Sequence, residues 1–357
     1  MATDTSKAGS VRERGRPYAR SWIDVFFGWM SGLPGPTWLA YAVLVLPSTL
    51  LSNSALWLSG LRPWGDVDPQ AVYWGVSTVA IVAAAHYLRN LAGASFDRFR
   101  PALGTGHPDP ERVRYELTVM PAAPIAVMTV VLIAITPLYY LADPVGSQVE
   151  GLNGAGLVAR TAAEGLSSVV FLAVAFQAVR QLVAVARLHA VADQVDPFRP
   201  LPLYAFSRLA AQAGIVLVVF ISGGVAVNPQ ALASETTVAL WLPWILGTPI
   251  VAAVVFLVPM LGMHGRLEAE KDRLESTTDG RMRALIGELN EAIDARVTDR
   301  VDALDRTIAA LRHEREILGK LPTWPWSTGT IRGFGSALLL PIALFLDKKT
   351  GAVLKDE

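Results

Sequence analysis

The chain has 357 residues, of which 52% are apolar and 17% are charged, and its formal net charge is zero. This combination is not typical of a soluble globule or of a disordered chain, and without an excess of positive charge we expect no nucleic-acid partner. Cysteine does not occur, which excludes disulfides, iron–sulfur clusters and zinc sites built from thiolates.

The first 36 residues precede any stretch long enough to span a membrane. Residues 1–20 are polar and rich in arginine, and we expect a disordered arm without a cleavable signal peptide. Residues 21–36 are bulky and apolar, with Trp22 and Trp29 among them. Because this stretch is too short to cross a bilayer, it predicts a helix lying in the inner interface.

Residues 37–262 contain six apolar stretches, each close to the roughly 20 residues that a helix needs to cross about 30 Å of hydrocarbon. The predicted spans are Thr37–Leu61, Ala71–Leu88, Val119–Ala142, Leu157–Val179, Leu209–Val227 and Val238–Leu261. The predicted fold class is therefore all-α, a polytopic bundle of six spans that has the lipid bilayer as a partner.

The basic residues lie almost entirely on one side of these spans. Of the 31 lysines and arginines, only Arg62 and Arg160 fall in segments that would face the other side. Positive charge near a helix end resists translocation, so the N-terminus is expected in the cytoplasm. The short arms and the lack of a presequence favour the plasma (inner) membrane of a prokaryote.

After the sixth span, residues 263–320 become highly charged and predict a cytoplasmic helical domain of coiled-coil type. Apolar residues recur there at helical spacing and form an expected interaction stripe: Leu285, Leu289, Ile293, Val297, Val301, Leu304, Ile308 and Leu311. The stripe needs a partner, either its own other half in a hairpin or another subunit. A break is expected near residues 277–280 or near residues 295–298, and one long helix and a hairpin both stay open.

The last segment, residues 321–357, holds the apolar run Gly333–Leu346, which has 14 residues, is short for a span and contains Pro341. If it crossed, Lys348, Lys349 and Lys355 would lie outside. We therefore predict a re-entrant or interfacial helix with the C-terminus in the cytoplasm. A seventh span over residues 331–346 is the alternative.

Polar residues within the spans are candidates for a pore or gate, because they are costly in a membrane unless they are paired. Arg160 and Glu164 lie one helical turn apart, and Asn53 and Gln177 lie within other apolar stretches. Each also has a structural explanation, as an i,i+4 ion pair or as a hydrogen bond between neighbouring helices.

Three prolines, Pro243, Pro249 and Pro259, lie within the sixth span. Each removes a backbone hydrogen bond and favours a kink. A kinked helix joined directly to the charged helical domain could serve as a gate or a signalling lever. Prolines are also simply tolerated in membrane helices when neighbouring groups satisfy the backbone.

No motif in the sequence indicates an enzyme. The five histidines form no close set of ligands, and glycine-rich nucleotide loops and the Gly-x-Ser-x-Gly nucleophile elbow do not occur. We expect no catalytic residue, no metal and no cofactor.

Two segments, Pro202–Arg208 (PLYAFSR) and Pro322–Trp326 (PTWPW), resemble segments of a family of uncharacterised prokaryotic multi-pass membrane proteins. The charged helix between them also fits the layout of that family. The resemblance implies the membrane architecture and transfers no catalytic or binding residue.

Two classes of function follow from these patterns. The first is a membrane sensor or scaffold whose cytoplasmic helices pair with themselves or with a protein partner, with the sixth span as the link. The second is an oligomeric ion channel or small-solute pathway that is gated through the proline-kinked sixth helix. The scarcity of buried charge and the lack of an inverted repeat argue against a coupled transporter.

Overall fold

The computed structural model describes residues 16–103, 109–142, 149–192, 195–227 and 235–353. These residues fold as helices and contain no β-strand, apart from an isolated backbone bridge between Arg20 and Pro121. The helices, in chain order, are α1 (Trp22–Ser31), α2 (Thr37–Leu58), α3 (Pro69–Phe99), α4 (Pro110–Thr118), α5 (Ala122–Ala142), α6 (Gly154–Val191), α7 (Pro200–Leu203), α8 (Ala205–Val227), α9 (Glu235–Asp294), α10 (Thr298–Gly319), α11 (Thr328–Leu338) and α12 (Leu340–Val353).

Six helical segments of the described residues are long and apolar enough to cross a membrane, which supports a multi-pass membrane protein. They are Thr37–Leu58, Pro69–Ala102, Gly154–Val191, Pro200–Val227, Ile245–Asp294 and Thr328–Leu346. The number equals the predicted number, but the set differs from the prediction. The set includes the C-terminal segment, which the sequence predicts as re-entrant or interfacial, and the predicted third span corresponds to the apolar helix α5, Ala122–Ala142.

The C-terminal segment is longer than its apolar run because a polar cap starts the helix early. The Ser327 hydroxyl accepts a hydrogen bond from the Thr330 amide, so α11 begins at Thr328. Between α11 and α12, Leu339 keeps a right-handed helical conformation. Pro341 explains the interruption, since it has no amide hydrogen to donate to the preceding turn. The re-entrant or interfacial placement of this segment and its alternative, a seventh span, both stay predictions.

The centre of the bundle is formed by α3, α6 and α8, which pack against one another, with α2 against α3 and α6. Small residues allow the closest approaches. A methyl group added to Gly75 of α3 would lie 2.5 Å from the Cα atom of Thr49 in α2. A methyl group on Gly214 of α8 would lie 2.7 Å from the ring of Phe334. Such contacts are typical of helix association in membranes, where small residues let the helices approach closely.

Residues 263–320 form a hairpin, which decides between the two expected arrangements. The helix α9 has 60 residues, or about 90 Å at 1.5 Å per residue, and passes without a break through residues 277–280. The chain turns at residues 295–297, where Arg296 has a left-handed φ of 56°. The return helix α10 packs against the outer part of α9. The chain's own second half therefore covers much of the apolar stripe.

The members of the stripe differ in how well the hairpin covers them. Leu304, Ile308 and Leu311 are buried, and Ile293 and Val297 near the turn are 52% and 46% exposed. The other three members, Leu285, Leu289 and Val301, are half-buried between the two legs. The two exposed side chains form an apolar tip, here called the hairpin tip.

We predict that Ile308→Ala destabilises the hairpin by about 2 kcal/mol, because it leaves a cavity beside a side chain that is 5% exposed. Ile317→Ala is the matched control, since Ile317 lies on the same helix and is 45% exposed, and we expect a change below about 0.5 kcal/mol. Hydrogen exchange of the α10 amides measures both. Equal protection in the two variants would contradict the burial assigned to Ile308.

Candidate functional site at the base of the helical hairpin

The base of the hairpin is where α9 leaves the bundle and where the chain returns to it after α10. A fully buried histidine, His189, lies there at the end of α6. Its Nδ1 atom is 2.8 Å from the carbonyl oxygen of Pro259 in α9, and its ring contacts those of Phe99 and Phe206. The imidazole thus joins α9 to α3, α6 and α8 at one level.

A second contact between α6 and α9 follows about two turns further along α9. The Arg266 guanidinium donates hydrogen bonds to the carbonyl oxygens of Ala190 and Ala192. These carbonyl groups lie at the end of α6, where backbone acceptors have no helical partner and a positive charge is favoured by the helix dipole. Arg266 therefore ties α9 to the end of α6.

Five aromatic rings in successive contact, here called the aromatic column, connect the returning chain to the bundle. His264 stacks on Trp324 with ring centroids 3.8 Å apart and planes within 4°, and Trp324 stacks on Trp326 at 4.4 Å. Trp326 then contacts Phe256, and Phe256 contacts Phe334 at 4.5 Å. Each such pair contributes about 0.5–1.5 kcal/mol beyond the burial of its area. The column joins α9 to α11 across the base of the hairpin.

Polar contacts complete the base. The His264 Nδ1 atom is 2.8 Å from the Thr323 carbonyl oxygen. The Lys271 ammonium donates to the carbonyl oxygen of Gly319, at the last residue of α10. Both legs of the hairpin are therefore attached at their membrane ends, α9 by its own continuity and α10 through the segment that follows it.

A separate polar network holds the N-terminal segment against the bundle and includes Gln177. The Gln177 amide donates to the Leu117 carbonyl oxygen at 3.1 Å and accepts from Arg180 at 3.0 Å. Arg180 also donates to the hydroxyl of Tyr18, which in turn donates to the Val119 carbonyl oxygen. Burial raises the pKa of the Tyr18 phenol, against the opposing effect of Arg180. Gln177 thus connects helices and does not stand alone in the membrane.

Next to this network, Asp24 of α1 is almost completely buried. One carboxylate oxygen accepts hydrogen bonds from the Ser21 hydroxyl and the Met120 amide, and the other lies 3.6 Å from Arg89. A cavity of about 10 Å³ adjoins these groups, enough for about one water molecule. These bonds hold α1 to α3 and to the start of α5.

The predicted pore residues near the opposite end of the bundle are bonded to their neighbours. Arg160 and Glu164 form an ion pair at 2.5 Å, and the Tyr140 hydroxyl donates to Glu164. The Asn53 side chain donates to the Thr49 carbonyl oxygen and accepts from the Asp68 amide at 2.8 Å, just before α3 begins. The ion pair and the hydrogen bonds give each of these residues a structural role. A role in permeation stays a prediction.

The three prolines of the sixth span lie inside the continuous helix α9 and do not end it. Pro259 is the one at the hairpin base, through its contact with His189. The structure thus brings Pro259 to the hairpin base. The four polar candidates lie elsewhere and make the contacts described above: Asn53, Arg160, Glu164 and Gln177.

Two larger cavities open between helices and are lined almost wholly by apolar side chains. One has a volume of about 670 Å³ and lies between α5 and α6, with Trp22 and Leu51 at its edges. The other has about 360 Å³ and lies between α3 and α8. Within the described residues, no group of three or more His, Asp or Glu side chains could hold a metal ion.

Sequence reasoning did not single out His189, His264 or Arg266 as functional. The segment Pro322–Trp326 was noticed only as a resemblance. The two tryptophans around a proline in this segment could have indicated a packing site, because the large ring of tryptophan usually packs against other side chains. Their partners in α9 and α11 could not be read from spacing, because about 60 residues of hairpin separate His264 from Trp324 in the chain.

We predict that Trp324→Ala loosens α10 by removing two ring contacts of the aromatic column. Hydrogen exchange of the α10 amides should accelerate by roughly tenfold or more, while the central helices α3 and α6 stay protected. Trp38→Ala is the matched control, because Trp38 is 69% exposed on α2 and lies far from the hairpin in the chain. Unchanged exchange in Trp324→Ala would show that the column does not hold the return leg.

Comparisons of the chain with protein-family models, with curated proteins and with solved structures found no match.

Proposed function

We propose that this protein is an integral membrane sensor or scaffold whose helical hairpin lies in the cytoplasm and mediates self-association. The observation that carries the proposal is the continuity of α9, which is at once a membrane helix and the first leg of the hairpin. A shift of α9 in the bundle would therefore displace the hairpin directly, without a flexible linker between the two.

The attachment of the second leg supports the same proposal. The aromatic column joins α9 to α11, and α11 packs against α8. A relative movement of α8 and α9 would thus change how the two hairpin legs are held. This arrangement suits a device that converts a change within the membrane into a change at the hairpin tip.

The hairpin tip is the surface we assign to self-association. Ile293 and Val297 are both about half exposed, although they continue an apolar stripe that the hairpin otherwise covers. The sides of the hairpin are strongly charged, and several of those charges pair within it, as Arg315 does with Asp279 and Arg300 with Glu288. The apolar tip is therefore better suited to a second copy than the charged sides are.

A channel is the alternative function. The sequence bases it on four polar residues and on the three prolines of the sixth span. The polar side chains of Asn53, Arg160, Glu164 and Gln177 bond to residues of their own or neighbouring segments. The larger cavities are apolar and open between helices. These observations favour the sensor or scaffold, and the proposal includes no catalytic step.

We predict that Ile293→Ser combined with Val297→Ser reduces self-association and leaves the fold intact. Native mass spectrometry of the full chain in lipid nanodiscs should find dimers or larger oligomers for the wild type and mainly monomers for the double variant. Ile317→Ser is the control, since this exposed residue lies near the base and not at the tip. A wild type that is monomeric, or a double variant that associates normally, would refute self-association through the tip.

We also propose that the C-terminal segment crosses the membrane as a further span, the alternative to a re-entrant helix. Leu339 keeps a helical conformation, so the direction of the chain is not reversed there. Phe334 is buried against Gly214 of α8 and Ala252 of α9, well inside the apolar parts of both helices. The segment Thr328–Leu346 has the length and apolar composition for a span.

The absence of cysteine allows a direct test of this topology. In the single-cysteine variant Glu357→Cys, a membrane-impermeant maleimide added to intact spheroplasts should label the C-terminus. In Asp305→Cys, on the hairpin, labelling should require lysis of the membrane. Protection of both positions in intact spheroplasts would instead support the re-entrant helix with the C-terminus inside.

A further inference from the structure

Two large apolar side chains are exposed in the segment between α6 and α8, away from the hairpin. Phe198 is 56% exposed and Leu201, in the short helix α7, is 79% exposed. Their neighbour Leu203 is buried in the bundle core, so the segment is anchored on one side and presents these two side chains on the other. An exposed Phe and Leu this close together suggest a surface that contacts an apolar phase.

The position of the segment places it at the edge of the membrane. The helix α7 ends one residue before α8 begins, and the apolar run of α8 starts directly after Arg208, which is exposed. Leu201 therefore lies one to two helical turns before the point at which α8 enters the hydrocarbon, or about 10 Å at helical rise. This is the depth at which apolar side chains of interfacial segments insert.

Exposed arginines lie in this segment and beside it. The helix α7 packs against the short 3-10 turn Arg100–Ala102 that follows α3, so the turn that carries Arg100 lies next to the segment. Arg98, Arg100 and Arg208 are exposed, and the Arg199 side chain is 86% exposed.

Among the described residues, two acids lie near these arginines in the chain, which is fewer than the four arginines. Asp97 pairs with Arg114 at 3.2 Å. Asp196 contacts Arg199 only at 3.9 Å and also accepts a hydrogen bond from the Phe198 amide. The face therefore keeps an excess of positive charge directed to solvent, next to an apolar pair.

We propose that this face binds anionic phospholipid headgroups of the leaflet on the hairpin side, with Phe198 and Leu201 inserted between the lipids. Arg100, Arg199 and Arg208 contact the phosphates, and the two apolar side chains displace water from the headgroup region. Positive charge complements the anionic lipid surface, and about 1 kcal/mol per arginine is typical of such contacts. This face is distinct from the hairpin tip. The proposal of lipid binding can therefore be supported or refuted independently of self-association.

The insertion is tested by spin labelling of the otherwise cysteine-free chain in vesicles of phosphatidylcholine with phosphatidylglycerol. A nitroxide on Phe198→Cys should be relaxed more by oxygen, which concentrates in lipid, than by a water-soluble nickel chelate. Asp305→Cys on the hairpin serves as the control and should show the reverse. A label at position 198 that behaves like the control would overturn the proposal.

The headgroup contact is tested by Arg199→Gln combined with Arg208→Gln in full-length protein in nanodiscs. Retention of phosphatidylglycerol, measured by native mass spectrometry, should weaken by about fivefold for each arginine removed, and retention of phosphatidylcholine should not change. Arg306→Gln with Arg312→Gln, two exposed arginines of α10, is the matched control and should have no effect.

Circular dichroism of each variant keeps the two measurements interpretable, because a variant that retains its helix content has not lost the site through unfolding. Equal phosphatidylglycerol retention in the folded Arg199/Arg208 variant and in the control pair would overturn the proposal, even if the label at position 198 is immersed in lipid. A loss of retention confined to the first pair would support it.

Discussion

The attachment of α9 to the rest of the bundle at one level is the constraint on which the structure depends. His189 and Arg266 hold this helix to the end of α6, and the aromatic column holds it to α11. Without these contacts, the charged hairpin would be attached to the bundle only through the helix α9. With them, both of its legs start from fixed points, and on this arrangement we base the proposal that a movement in the bundle displaces the hairpin tip.

The distribution of polar groups follows from the cost of leaving them unpaired in a low-dielectric interior. Gln177 and Arg180 satisfy backbone carbonyl groups near the start of α5, and Asn53 satisfies an amide just before α3. Asn53 and Gln177, which suggested a pore in the sequence, therefore connect neighbouring segments, and Arg180 bonds to Gln177 in the same network. Exposed charged residues are numerous in the hairpin and also lie beside the loop between α6 and α8, and there we place the contacts with other molecules.

Several features of the fold could be predicted from the sequence, but the contacts between distant segments could not. Length and hydropathy predicted an all-helical, multi-pass chain, and charge predicted the change of character after the sixth span. Three-dimensional partners were out of reach: nothing in the spacing relates His264 to Trp324, or Gly214 to Phe334. Their contacts join segments far apart in the chain, and local periodicity carries information only about neighbouring turns.

The sequence by itself determined the membrane character and the presence of an apolar stripe in a charged helix, because both depend on composition along the chain. Only the tertiary structure decided that the stripe closes on itself, with its turn at residues 295–297 and Ile293 and Val297 left exposed. Two break points were compatible with the local pattern. The choice between them depends on which register buries Leu304, Ile308 and Leu311 against the other leg, and that is a property of the packed pair of helices.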